Sequence, residues 1–151
     1  MPQSSTTMVA IVLMFFAGIG IPMMATLNAG LGRGLGSPVA ATAILYALAL
    51  MLALIALAFT AAPARGAFAA VRWWFYSGAV FNVIYVLGIT WAAPRIGVGN
   101  AVFLVLLGQL VATAVIDHYG LWGAIQTTLT PRRIAGIAVM GLGVWLAKRP
   151  G

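Results

Sequence analysis

The feature that most restricts the fold of this chain is a series of apolar runs, each about as long as a bilayer is thick. A helix needs about 20 apolar residues to cross the hydrocarbon core. Four runs reach that length: 8–28, 38–61, 73–93 and 98–116. The fifth run, 134–147, has only about 14 residues and is short enough to be a re-entrant or interfacial segment. Arg133 and Lys148 at its ends could extend its reach to the membrane surfaces, so we predict that it also spans.

These runs predict an all-α integral membrane protein with five transmembrane helices in a single domain, residues 1–151. Hydrophobic residues make up 64% of the chain and charged residues 6%, whereas a soluble domain has about a quarter charged residues. The basic residues are scattered between the runs and form no basic face or arm, which argues against nucleic acid as a partner. The lipid bilayer is therefore the expected partner.

The first run is predicted to remain in the mature protein. No Lys or Arg precedes it, whereas a cleavable signal peptide starts with a basic segment. It also continues through Gly18, Pro22 and Asn28, which makes it longer than an ordinary signal-peptide core. We therefore interpret it as the first membrane helix.

The basic residues between the runs give no preferred orientation in the membrane. With five spans, the side of the N-terminus holds Arg65, Arg72, Arg132 and Arg133, and the opposite side holds Arg33, Arg95, Lys148 and Arg149. The excess of Lys and Arg that marks a cytoplasmic side is therefore absent. One interpretation is that a few dominant charges or the insertion machinery select one orientation. The other is dual topology, in which copies insert both ways and pair as an antiparallel, inverted-repeat homodimer of ten helices. If the fifth run does not span, the balance is lost.

Several short motifs follow one another along the chain. They are Gly20-Ile-Pro22 followed by Asn28, Ala92-Ala-Pro94 with Gly97, Gly108-Gln-Leu-Val-Ala-Thr-Ala-Val-Ile-Asp117-His-Tyr-Gly-Leu-Trp-Gly123, and Arg133 followed by Gly136, Gly141 and Gly143. In the order and spacing of these motifs the chain resembles, over nearly its whole length, the YdcZ-like family, which are five-helix members of the drug/metabolite transporter superfamily. Trp122 stands where Phe is expected, which is a mild departure.

The resemblance implies a transporter fold built from paired five-helix units. We expect a multi-pass protein of the cell membrane, which in bacteria is the inner membrane. The resemblance implies no particular substrate. Four-helix multidrug exporters of the same superfamily couple protons through a Glu in the first helix; this chain has no Glu, so that mechanism is not carried over.

Asp117 is the only carboxylate of the chain. An acid in a membrane segment is costly and therefore a functional candidate, so Asp117 and His118 are candidate coupling or gating residues. The end of the fourth run is also a place for a structural Asp, which would pair with Arg132 or Arg133 or accept bonds from the following loop. A lone His at a helix end supplies no metal-ligand constellation, and we expect neither a metal nor a cofactor.

The candidate solute contacts are Asn28, Asn82, Tyr85, Gln109 and Thr113. Gln109 and Thr113 continue to Asp117 along one helix face, at i, i+4 and i+8. A polar stripe is disfavoured against lipid, so this face should turn to the protein interior or to a water-filled cavity. The alternative is that these side chains only bond neighbouring helices together. Asn82 and Tyr85 share a face of the third run and allow the same two interpretations.

Glycines mark two further features. Gly18, Gly20 and Pro22 predict a helix break, because proline removes a backbone donor and crowds the carbonyl four residues earlier, and broken helices expose backbone groups to substrates in many transporters. A kink needed only for packing is the alternative. In the fifth run, Gly136 and Gly143 lie on one face and are candidate dimer contacts.

The leading hypothesis is a small-solute transporter of the drug/metabolite type, working by alternating access as a homodimer on an unidentified small molecule. The first alternative is a dual-topology channel for small ions or solutes, with a narrow polar pore. The second is a membrane scaffold or accessory subunit that transports nothing. An enzyme is not expected, because the sequence has no catalytic triad, metal or phosphate-loop pattern.

Overall fold

The computed structural model describes residues 3–61, 63–64 and 66–147, with side chains from residue 5 onward. Arg65, Lys148 and Arg149, three of the basic residues in the predicted charge balance, lie outside the described residues. The described residues form helices and connecting turns, with no β-strand among them. The all-helical class is therefore confirmed.

Six α-helices and two 3₁₀ helices make up the described part of the chain. The α-helices are α1 (Gln3–Gly34), α2 (Pro38–Ala58), α3 (Ala67–Ala70), α4 (Gly78–Ile96), α5 (Val98–Tyr119) and α6 (Pro131–Ala147). One 3₁₀ helix, Trp73–Ser77, leads into α4, and another, Leu121–Gly123, follows α5. The chain divides into two compact units, Met1–Arg95 and Ile96–Gly151, and the single domain stays a prediction.

Among the residues that the structure describes, four segments are long and apolar enough to cross a membrane: Ser5–Gly34, Pro38–Ala58, Trp73–Ile96 and Val98–Tyr119. They correspond to the first four predicted runs, so the protein is a multi-pass membrane protein in contact with lipid. The fifth predicted run lies within α6, which has 17 residues. That α6 crosses the membrane stays a prediction.

The turn between α1 and α2 shows why α2 begins where the sequence predicts. Gly36 has a φ of 63°, a left-handed conformation that glycine adopts without a steric penalty. The hydroxyl of Ser37 accepts the N–H of Ala40 at 3.1 Å and so caps α2. Pro38 occupies the first helical position, where a backbone donor is not needed.

The break expected at Gly18, Gly20 and Pro22 is absent, because α1 is one α-helix of 32 residues with Pro22 inside it. Proline crowds the carbonyl four residues earlier, which here belongs to Gly18. No atom of another element among the described residues lies within 4 Å of the position that a Cβ of Gly18 or Gly20 would occupy. Among the described residues no neighbouring element therefore packs on Gly18 or Gly20, and the helix loses one hydrogen bond at Pro22 without being interrupted.

An arginine–tryptophan pair lies at each end of α4. The guanidinium of Arg72 lies 4.9 Å from the ring centre of Trp74, just before the helix. In the last turn, the guanidinium of Arg95 lies 4.1 Å from the ring centre of Trp91. Both residue types are typical of the membrane–water interface, so the two pairs mark the limits of this span.

In Ile96–Gly151, α5 and α6 form an antiparallel pair. At the end of α5, Asp117 contacts Arg133 at 2.5 Å. Halfway along, a Cβ on Gly141 would lie 3.5 Å from Cδ1 of Leu107. Near the start of α5, Trp145 and Asn100 line one cleft. Followed from its start to its end, α6 thus contacts the end, the middle and the first turns of α5 in that order. The two helices are therefore antiparallel, and α6 lies beside nearly the whole of α5.

Candidate functional site

Three helices of Met1–Arg95 converge at Gly32. A Cβ on Gly32 would lie 3.4 Å from Cα of Pro38, at the start of α2, and 3.4 Å from Cγ2 of Thr90, in α4. Gly32 is buried and continues one face of α1 that also buries Ala25 and Asn28, at the spacing of a single helix face. The absence of a side chain at Gly32 lets the three helices come close together.

A buried hydrogen-bond chain joins α1 to α4 next to this point. Nδ2 of Asn28 donates to Oγ1 of Thr90 at 2.7 Å, and Oγ1 of Thr90 donates to the carbonyl of Val86 at 2.7 Å. Asn28 is 3% exposed and Thr90 is 1% exposed. Hydrogen bonds strengthen in such a low-dielectric interior, so this chain fixes the position of α4 against α1.

Three hydroxyl groups in the same unit are buried without a partner. They belong to Thr42 and Tyr46 of α2 and to Tyr85 of α4, and none of them makes a hydrogen bond to any part of the chain that the structure describes. Nearly all buried polar side-chain atoms in proteins have a partner, either protein or ordered water. These hydroxyls are therefore available to water or to a bound molecule.

The residues that carry the three hydroxyls lie within about 12 Å of the level of Gly32, measured along α2 and α4. Pro38 and Thr90 both approach Gly32 and so mark the same level. At a rise of about 1.5 Å per residue, Thr42 lies about 6 Å and Tyr46 about 12 Å along α2 from Pro38, and Tyr85 lies about 7.5 Å along α4 from Thr90. We refer to the five side chains that make up this region as the polar core: Asn28, Thr42, Tyr46, Tyr85 and Thr90.

The predicted solute contacts are only partly brought together. Asn28 and Tyr85 belong to the polar core, whereas Asn82 is exposed on α4. Gln109 and Thr113 belong to the other unit, where both are exposed, and the hydroxyl of Thr113 donates to the carbonyl of Leu110 at 3.1 Å. The roles of these residues in binding a solute stay predictions.

Sequence reasoning missed three members of the polar core: Thr42, Tyr46 and Thr90. A signal was available for two of them. Thr42 and Tyr46 are the only polar side chains of α2, and four residues of spacing place them on one face. Thr90 carried no such signal, because a Thr can satisfy its hydroxyl within its own helix, as Thr90 does through Val86.

Asp117 fastens the end of α5 to the start of α6. Its carboxylate accepts a hydrogen bond from Nη2 of Arg133 at 2.5 Å, with both side chains about one-third exposed. Nη1 of Arg133 donates to the hydroxyl of Thr127 at 2.9 Å, and the N–H of Thr127 donates to the carbonyl of Asp117 at 2.9 Å. This arrangement matches the structural alternative for Asp117, and its coupling role stays a prediction.

His118 holds the same loop from the other side. Its Nδ1 accepts the N–H of Leu129 at 3.2 Å, and its carbonyl accepts Nε2 of Gln126 at 3.1 Å. Together with Asp117, it ties the loop between α5 and α6 back onto the end of α5. The gating role predicted for His118 is untested by these contacts.

The two predicted dimer-contact glycines are open. Within the described part of the chain, no atom of another element lies within 4 Å of the position that a Cβ of Gly136 or Gly143 would occupy, whereas Gly141 faces Leu107 of α5. Gly136 and Gly143 therefore lie away from the helix that packs against α6, on a surface that another helix can approach. The dimer itself stays a prediction.

A family model described as “Putative inner membrane exporter, YdcZ” matches residues 9–146, which is a stretch from α1 to α6. No curated protein and no solved structure matches the chain.

Proposed function

The chain belongs to the YdcZ family, and from this membership we propose that it exports a small solute by alternating access, as a member of the drug/metabolite transporter superfamily. In alternating access, one binding site opens first to one side of the membrane and then to the other. Such a site needs polar groups within the membrane that a solute can satisfy. The polar core provides them.

The observation that carries this proposal is the set of unpartnered hydroxyls on Thr42, Tyr46 and Tyr85. A hydroxyl both donates and accepts, so three of them can bind a solute that has several hydrogen-bonding groups. The polar core has no ionisable acid or base other than the tyrosines. We infer that the solute is small, polar and at most weakly charged.

A homodimer is the second part of the proposal, and two exposed features support it. Gln109 lies exposed on α5 within its unit, and an amide against lipid is disfavoured because lipid offers it no hydrogen-bond partner. Gly136 and Gly143 lie open on α6, where a second copy can approach closely. A partner subunit that covers these surfaces would satisfy both.

Five spans and antiparallel pairing complete the proposal. α6 begins beside the end of the spanning helix α5 and continues nearly to its start, and its 17 residues cover about 25 Å, close to the thickness of the hydrocarbon core. With α6 as a fifth span, the basic residues balance across the membrane. Copies can then insert in both orientations, which gives the inverted repeat that many transporters contain.

The first experiment identifies a solute and locates its site. Thermal unfolding of the full chain in detergent is measured against a panel of small polar metabolites and cations, because a ligand of the folded state raises Tm. For the solute with the largest shift, Tyr46→Phe and Tyr85→Phe should weaken binding about tenfold each. Tyr119→Phe is the matched control, because Tyr119 is 66% exposed on α5.

Two outcomes would contradict the proposal. If both polar-core variants bind the solute as the unmodified protein does, the polar core is not the binding site. In proteoliposomes, unlabelled solute outside should accelerate the efflux of labelled solute, because alternating access exchanges one solute for another. If flux shows no such counter-transport, the protein is a channel or does not transport.

A further inference from the structure

A cavity of about 370 Å³ opens at the end of Met1–Arg95 where α1 and α4 end and α2 begins. Gly32, Pro38 and Thr90 form part of its wall, and two arginines, Arg33 and Arg95, also line it. A volume of this size lies at the lower end of the range for small-molecule sites, about 300–1,000 Å³.

The two arginines have no anionic partner in this unit. The only acid of the chain, Asp117, belongs to Ile96–Gly151. The guanidinium of Arg33 makes no hydrogen bond within the described ranges, and its backbone carbonyl accepts one from the N–H of Gly36 in the following turn. Arg95 donates to the carbonyl of Trp91 and stacks on its ring. Each guanidinium has five N–H donors, so most of the donors of this pair are available to a ligand.

The helix dipole explains why each arginine lies at a helix end, but it does not explain why both arginines line the same cavity. Arg33 lies in the last turn of α1 and Arg95 in the last turn of α4, where a cation interacts favourably with the helix end. That interaction does not require both side chains to line one cavity. The start of α2, at Pro38, adds the positive end of a third helix to the same wall.

We propose that this cavity binds a phosphate group, held by Arg33 and Arg95. Arginine is suited to this ligand because its planar fork matches the phosphate oxygens. Two sources share this chemistry: the headgroup of an anionic phospholipid and free phosphate in solution. Basic pockets between membrane helices are known places for lipid headgroups. The inference does not rest on transport, because the cavity would bind phosphate in a protein that moves nothing.

The test measures Tm of the full chain in a neutral detergent with three probes. They are short-chain phosphatidylglycerol, short-chain phosphatidylcholine as a zwitterionic control, and inorganic phosphate at matched ionic strength. We expect an anionic probe to raise Tm, and Arg33→Gln or Arg95→Gln to weaken its binding about tenfold. Arg72→Gln is the matched control: Arg72 also stacks on a tryptophan, Trp74, but lies at the other end of α4.

The possible outcomes distinguish the two sources of phosphate, and they include results that would contradict the proposal. Stabilisation by phosphatidylglycerol alone assigns a lipid headgroup, and stabilisation by inorganic phosphate assigns a free anion. The proposal is overturned if no anionic probe raises Tm, or if Arg72→Gln weakens the effect as much as Arg33→Gln does. Arg33→Gln decides the matter alone if Arg95→Gln does not fold, because Arg33 is exposed and the substitution keeps the backbone bond from Gly36 to its carbonyl.

Discussion

On α4, two hydroxyl groups of the polar core differ in their partners. Thr90 bonds to Asn28 and to the carbonyl of Val86, whereas the hydroxyl of Tyr85 has no partner among the residues described. Thr90→Val should lower the free energy of unfolding by about 1–3 kcal/mol, because the buried amide of Asn28 loses its acceptor. Tyr85→Phe should leave it unchanged or raise it, because the variant buries one polar group fewer.

Denaturant unfolding of the full chain, in one detergent and without solute, measures this contrast. Thr26→Val is the control, because the exposed hydroxyl of Thr26 donates only within its own helix, to the carbonyl of Pro22 at 2.8 Å. Its effect should stay within about 0.5 kcal/mol. A loss for Tyr85→Phe as large as that for Thr90→Val would mean that Tyr85 already has a partner in the solute-free protein.

At the same scale, the sequence predicts which side chains are unusual but not which of them meet. Asn28 and Tyr85 are identifiable because an amide and a phenol stand out in apolar runs. The bond from Asn28 to Thr90 joins positions far apart in the chain, and no local pattern specifies that these two helix faces meet. The polar core therefore depends on packing, to which the close approach at Gly32 contributes.

At the scale of the elements, the accuracy of prediction depends on local chemistry. The start of α2 is predictable, because Ser37 and Pro38 specify a cap and a first turn within two residues. The break predicted in α1 is absent: among the described residues nothing packs on Gly18, where a bend would have to be held, and the helix continues through Pro22. Proline thus indicates a lost hydrogen bond, whereas an interruption needs tertiary support.

Whether α6 crosses the membrane can be tested on a chain that has no cysteine. In the variant Thr128→Cys with Ala147→Cys, one thiol lies before α6 and the other at its end. If α6 spans, an impermeant maleimide added to intact cells should label one cysteine in each molecule, whatever the orientation of that molecule. Mass spectrometry of the purified protein counts the labels.

The control places both cysteines on one side of α6, as in Thr128→Cys with Ala124→Cys, both in the connection that precedes the helix. These molecules should carry two labels or none. The same result for Thr128→Cys with Ala147→Cys would show that α6 returns to the side from which it starts, and the proposed balance of basic residues would be lost.

At the scale of the whole molecule, dual topology predicts that both orientations coexist. Separate C-terminal fusions to a reporter active only outside the cell and to one active only inside should both give signal. Arg33→Ala removes a cation from the side of the C-terminus and should increase the outside signal, because basic residues favour the cytoplasm. Arg72→Ala removes one from the opposite side and should increase the inside signal. Exclusive signal from one reporter, unchanged by both variants, would rule out dual topology.

The two arginine–tryptophan pairs have a mechanical consequence for a transporter in which α4 moves. Between Trp74 and Trp91, α4 and its leading turn cover about 26 Å, which is near the hydrocarbon thickness of an average bilayer, about 30 Å. A helix held at both interfaces has a fixed hydrophobic length, so tilting it either draws one arginine toward the acyl chains or thins the bilayer around it. The elastic energy of the lipid is thereby part of the barrier to any rocking motion of α4. The acyl-chain length of the lipid should therefore change the rate of the proposed transport cycle.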